Sequence, residues 1–99
     1  MIIEIAQFDV TAGMESAFEA GVTTALPVFQ RAKGCRGMQI LRSIEKPGRY
    51  RLLIRWDTVA HHTVDFRGSS DYQDFRKLVA HCYAQSPEVE HNEIIDTGF

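Results

Sequence analysis

The chain lacks a long apolar run, a surplus of charge of either sign, clustered cysteines and internal repeats. No apolar stretch approaches the roughly 20 residues that span a bilayer, so no membrane segment is expected. Ile2–Phe8 is short and interrupted by Glu4, so it is not expected to be a signal peptide, and a cytoplasmic location is the expectation that follows. A net charge of −2 gives no electrostatic reason for nucleic acid or an anionic membrane as partner. Only Arg31, Lys33 and Arg36 form a loose basic grouping. Cys35 and Cys82 lie far apart and neither belongs to a zinc spacing; with apolar neighbours, both are expected to be reduced, buried thiols. The histidines show no HxH, HxxxH or HExxH spacing, so no metal is expected. There is no Gly-rich phosphate loop, no readable Ser/His/Asp order and no close carboxylate pair in an apolar setting. No cofactor is therefore expected. The 99 residues make one domain, 1–99, with a core of modest size that a second copy would help to complete.

What is present centres on Tyr50–Phe66. Tyr50, Leu52, Ile54 and Trp56 alternate with Arg51 and Arg55, the pattern of a strand with one buried face. Asp57 or Thr58 then caps a short helix in which Val59, His62 and Phe66 share a face. An imidazole and two aromatic rings thus meet at one strand-to-helix corner, which suggests a pocket.

Met1–Val10 reads as a strand with apolar residues of both parities, hence covered on both faces. Thr11 is a plausible N-cap for an amphipathic helix carrying Met14, Phe18, Gly21, Val22, Ala25 and Phe29, with a kink expected at Pro27 and an end at Lys33-Gly34. Cys35–Ile44 is a second strand, joined to the third through the turn Glu45-Lys46-Pro47-Gly48. Ser69 or Ser70 caps a longer helix with a stripe from Tyr72 to Tyr83, ended by Ser86-Pro87. Val89–Ile95 is a last strand and Asp96–Phe99 a tail. The order of elements predicts an α+β, ferredoxin-like split βαβ fold: a four-stranded antiparallel sheet with helices on one face. Its bare face is expected to be hydrophobic and to pair with a second copy.

Several short signals occur in a characteristic order: Thr11-Ala12-Gly13 after the first strand, Gly34-Cys35-Arg36-Gly37 before the second, and Trp56-Asp57-Thr58 closing the third. His62, the stretch Phe66–Ser70 and Pro87-Glu88 before the last strand follow. In these the chain resembles the antibiotic biosynthesis monooxygenase family of dimeric α+β barrels. The resemblance implies a homodimer joined through the sheet face and a small-molecule cavity between each sheet and its own helices. It implies cofactor-free oxygenation of an aromatic or quinol-like metabolite as one activity among several. In the haem-degrading branch, the signature asparagine, tryptophan and axial histidine fall on Ala6, Phe66 and Lys77, which disfavours haem degradation; His81, one turn beyond Lys77, keeps haem binding open.

His62 is the leading catalytic candidate, since neutral imidazole exchanges a proton near pH 7 and could hold a phenol as phenolate. The competing reading is a histidine hydrogen-bonded to backbone at a helix–sheet seam. Trp56, Phe66, Tyr72, Phe75 and Met38 are candidate substrate-binding residues, and the aromatics among them are equally readable as core. His61 is expected at the solvent or seam edge, and Tyr50 and Tyr83 as structural tyrosines. The alternative to an oxygenase is a non-catalytic, stress-associated homodimer that binds a small hydrophobic ligand.

Overall fold

Strand alternation decides which side chains meet the helices. In the computed structural model, which describes residues 1–99, β1 (Ile2–Asp9), β2 (Cys35–Arg42), β3 (Arg49–Trp56) and β4 (Glu88–Glu93) form one antiparallel sheet in the order β2-β3-β1-β4. Helices α1 (Glu15–Gln30) and α2 (Ser70–Val79), a π-helical turn (His61–Phe66) and a 3-10 turn (Ala80–Cys82) accompany it. This is the α+β ferredoxin-like arrangement. The central strands β1 and β3 place Glu4, Ala6 and Phe8 beside Ile54, Leu52 and Tyr50, all buried against the helices.

The opposite face is mixed rather than hydrophobic. Ile3, Ile5, Leu41 and Leu53 form an apolar stripe, edged by Gln7, Gln39, Arg51, Arg55, Glu88 and Glu90. The two parities of apolar residues in β1 therefore do serve two faces, and only the helix side is filled within one chain.

Helix α1 buries Phe18, Gly21, Val22, Ala25, Val28 and Phe29. Thr11 is not its N-cap: Met14 takes that position, while Glu15 Oε1 accepts from the Gly13 N–H at 2.6 Å. The helix also continues through Pro27. Proline there removes one donor in the last turn, and the carbonyl it leaves belongs to exposed Thr23, which water can serve. Gly34 takes φ +77°, and a Cβ at this position would collide with the His61 ring, so glycine is required both by conformation and by contact.

Helix α1 ends at Gln30 rather than at Lys33-Gly34, with Arg31 at its C-cap, and three further element ends differ from the sequence reading. Helix α2, capped by Ser69 as expected, stops at Val79, because Tyr83 is extended and Val10 bridges to it. Strand β2 ends at Arg42, where its pairing with β3 runs out. Strand β4 ends at Glu93, paired with Ile2; β1 offers no residue beyond that for Ile94 and Ile95, which stay exposed.

Candidate functional site

Glu4 is a lone carboxylate on the buried face of β1, 4 % exposed. Its Oε1 accepts from Trp56 Nε1–H at 2.9 Å and lies 3.4 Å from His62 Nε2. His62 comes from the turn after β3. That turn is π-helical: Arg67 N–H donates to the His62 carbonyl five residues back, and Thr58 Oγ1 accepts from His61 N–H at its start. The widened turn directs His62 and Phe66 inward and leaves Val59 40 % exposed, so the expected shared face of all three is reduced to two. His62 stacks on Trp56 with ring centroids 5.4 Å apart and an interplanar angle of 23°. Its Nδ1 lies 2.8 Å from His91 Nε2. His91 stands opposite Glu4 in the β1–β4 pairing, so the sheet itself brings the two together.

Burial dominates the electrostatics. Desolvation pushes the Glu4 carboxyl up from 4.5 to about 7, against the opposing pull of the Trp56 hydrogen bond and the Arg67 charge. Desolvation also pushes His62 down from 6.5 to about 4, helped by the charges of Arg67 and His91. At neutral pH His62 is therefore an uncharged imidazole, and Glu4 sits where proton gain and loss are nearly balanced. If His91 Nε2–H donates to His62 Nδ1, the His62 Nε2–H faces Glu4; in the reverse tautomer a protonated Glu4 faces a bare Nε2. The three groups can thus pass a proton along a line from the interior toward half-buried His91. Both His62 nitrogens are engaged by neighbours, and no group of three His, Cys, Asp or Glu side chains is arranged to hold a metal ion.

Beside this pair lies a cavity of about 230 Å³ between the sheet and α2. Glu4, Ala6, Leu52 and Ile54 form its sheet wall, and His62, Phe66, Tyr72 and Phe75 face them. Phe8, Phe29, Tyr83, Ser86, Pro87, Val89, Arg67 and Arg76 complete it.

The structure gathers His62, Phe66, Tyr72 and Phe75 on this one cavity. Trp56, wholly buried, stands behind His62 and Phe66 rather than on the cavity wall. Met38 lies apart, against α1 near Leu26, because β2 is separated from the cavity by β3. His81 is exposed on the 3-10 turn, with Nε2 3.6 Å from Cys82 Sγ, and does not line the cavity. His61 packs at the seam edge on Thr58, as expected. Tyr50 donates to Glu19 at 2.5 Å and is structural. Cys82 is buried, whereas Cys35 is only half-buried.

Sequence reasoning missed Glu4, His91, Arg67 and Arg76 as parts of the site. A signal for Glu4 was available: it shares parity with Ala6, Phe8 and Val10, so the buried face of the strand had to contain a carboxylate. His91 needed the strand pairing, and the arginines needed the tertiary fold.

The family model described as antibiotic biosynthesis monooxygenase matches residues 1–78. The uncharacterized protein YczJ of Bacillus subtilis (strain 168) is 35% identical over 91 residues, 92% of this chain and 96% of its own length. A Bordetella bronchiseptica protein whose crystal structure carries the same family description is 51% identical, with a TM-score of 0.93 over 95% of this chain and 96% of that one. SnoaB, a cofactor-independent oxygenase from Streptomyces nogalater, shares the fold at a TM-score of 0.80 and 14% identity, over 97% of this chain and 94% of its own.

Proposed function

The chain belongs to the antibiotic biosynthesis monooxygenase family, and from that premise we propose that it is a cofactor-independent monooxygenase of a small aromatic or quinol-like metabolite. The observation that carries this reading is the buried Glu4–His62 pair on the wall of an otherwise largely apolar cavity. A phenol lying in the cavity would place its hydroxyl at this pair. Glu4, its carboxyl raised to about 7 by burial, accepts the hydroxyl proton in its ionised form, with His62 fixing the carboxyl group and His91 leading the proton outward. The resulting phenolate gives an electron to dioxygen far more readily than the phenol does. Net oxygenation is balanced: one phenol and one dioxygen give one quinone and one water, the ring carbon exchanging its hydrogen for oxygen. A sharing of fold with SnoaB supports this chemistry by analogy.

Cavity size bounds the substrate. An engineered apolar cavity of roughly 150 Å³ holds one benzene; about 230 Å³ holds one or two fused rings. The test is dioxygen uptake with hydroquinones and naphthols. Wild-type protein consumes oxygen with a compound it binds, and Glu4→Gln and His62→Gln bind it with little or no uptake. Full uptake in both variants would remove the pair from the mechanism.

The second reading is a non-catalytic homodimer that sequesters such a ligand. It is favoured by the fact that no buried side-chain polar atom lacks a hydrogen-bond partner, as a purely structural network requires. Ligand protection against unfolding without any product marks that outcome. In both readings two copies join through the open sheet face, where the Ile3, Ile5, Leu41 and Leu53 stripe is flanked by Arg51 and Arg55 and by Glu88 and Glu90, signs that can pair across a two-fold axis. Analytical ultracentrifugation of wild type and Leu53→Glu checks this, with a dimer expected for the first and a monomer for the second.

A further inference from the structure

The arginines divide into two groups. Arg31, Arg36, Arg42 and Arg49 hold Asp71, Asp57, Glu19 and Asp9 respectively, and Arg51 donates to Gln7. Arg55, Arg67 and Arg76 form no ion pair and no side-chain hydrogen bond; Arg55 lies on the open sheet face, and of the three only Arg67 and Arg76 line the cavity. Arg67 follows the π-helical turn and Arg76 lies on α2; both are exposed, so they stand at the mouth, while Glu4 and His62 are buried within. A cavity with apolar walls, a proton-accepting carboxyl inside and two unpaired guanidinium groups at its opening has a polarity along its length. A planar guanidinium offers paired donors that match a carboxylate, and a group left without a protein partner has that capacity available to a ligand.

We propose that the cavity selects an anionic aromatic substrate, carrying a carboxylate held by Arg67 and Arg76 at one end and the reacting hydroxyl at Glu4 and His62 at the other. This names a substrate class for the oxygenase reading above and rests on it for the identity of the reacting group. The Arg67 charge reaches the inner pair, where it opposes the rise of the Glu4 carboxyl. A bound carboxylate neutralises part of that field, so substrate binding itself makes Glu4 a stronger base. The one- or two-ring limit set by the cavity volume applies to the aromatic body.

The probes are 6-hydroxy-2-naphthoate and 2-naphthol, which share a ring system and a hydroxyl and differ in the carboxylate. Titration calorimetry of wild-type protein should show the acid binding about tenfold or more tightly than the naphthol, with the advantage shrinking as salt rises. Arg67→Gln/Arg76→Gln should abolish the acid's advantage, the acid and the naphthol being compared in the same variant. Both side chains are exposed, so the variant folds, and retained naphthol binding verifies it. Equal affinities in wild type, or an acid preference that survives the double variant, would overturn the proposal. Dioxygen uptake is read separately: acid preference without uptake leaves the binding assignment standing and removes the oxygenase, while uptake without acid preference does the reverse.

Discussion

At one end of the seam between sheet and helices, Phe18 and Tyr50 fill the layer together with Phe8, whose ring also reaches the cavity wall, at centroid distances of 5.1 Å. At the other end Glu4, Trp56 and His62 occupy the same layer, and a cavity opens beside them. Both ends are built on the same two strands, with the same alternation. The aromatic end follows what burial favours, whereas the polar end places two ionisable groups where burial disfavours their charge. Buried polar clusters beside open space mark function more often than stability. The contrast ties the first end chiefly to folding, and the reading proposed above rests on the second.

The largest effect is expected from Phe18→Ala, which empties the aromatic end and should cost about 3–5 kcal/mol, read by urea unfolding. Because Phe18 reaches the cavity only through Phe8, ligand binding should weaken far less than stability at temperatures where the variant remains folded. A loss of binding in folded protein would break the separation of the two ends.

Glu4→Gln should do the opposite. It keeps the shape, and turnover should fall by about 10²–10⁴. Stability above pH 7 should be unchanged or higher, because the variant no longer holds a buried carboxylate in its charged form. A large loss of stability would show that Glu4 serves the fold.

A pH series sharpens the contrast further. Glu4 is raised in the folded state, so its contribution is fully present below about pH 4.5 and is lost as pH rises through about 7. His62 is lowered, so its contribution is present above about pH 6.5 and is lost as pH falls through about 4. Between about pH 4.5 and 6.5 the two slopes oppose each other. Wild-type stability should therefore change little with pH in that window as far as this pair is concerned. Glu4→Gln should expose a rise with pH, and His62→Gln a fall. Urea midpoints across the window distinguish these, and parallel profiles for both variants would show that the groups do not titrate as assigned. Arg67 and His91, the other charged or titratable groups acting on His62, are present in all three proteins.

The smallest effect should come from Arg36→Ala. The Arg36–Asp57 pair is bidentate but lies at the surface, and no shift of the unfolding midpoint should be resolved.

Much of the fold was legible because periodicity reports burial directly. Tyr50, Leu52, Ile54 and Trp56 lie buried on one side of β3, and the α1 stripe faces the sheet. Ser69 caps α2 because a serine oxygen before a helix has a free N–H to meet. Element ends were less legible. Tyr83 continued a helical stripe in sequence but is extended, held beside Val10. Ile94 and Ile95 had the composition of a strand but no partner on β1. Pro27 lost only one hydrogen bond in an exposed last turn, too little to break the helix.

The sequence by itself determined the four strands, the helices, their order and a corner carrying His62, because local spacing and turn chemistry act on neighbours along the chain. Tertiary structure alone decided that Glu4, His62 and His91, from β1, a π-helical turn and β4, would touch. Antiparallel pairing sets Glu4 opposite His91, the widened turn aims His62 at both, and the burial created by all three elements raises one proton affinity and lowers the other. Desolvation is a property of the assembled layer, and no single segment of the chain contains it.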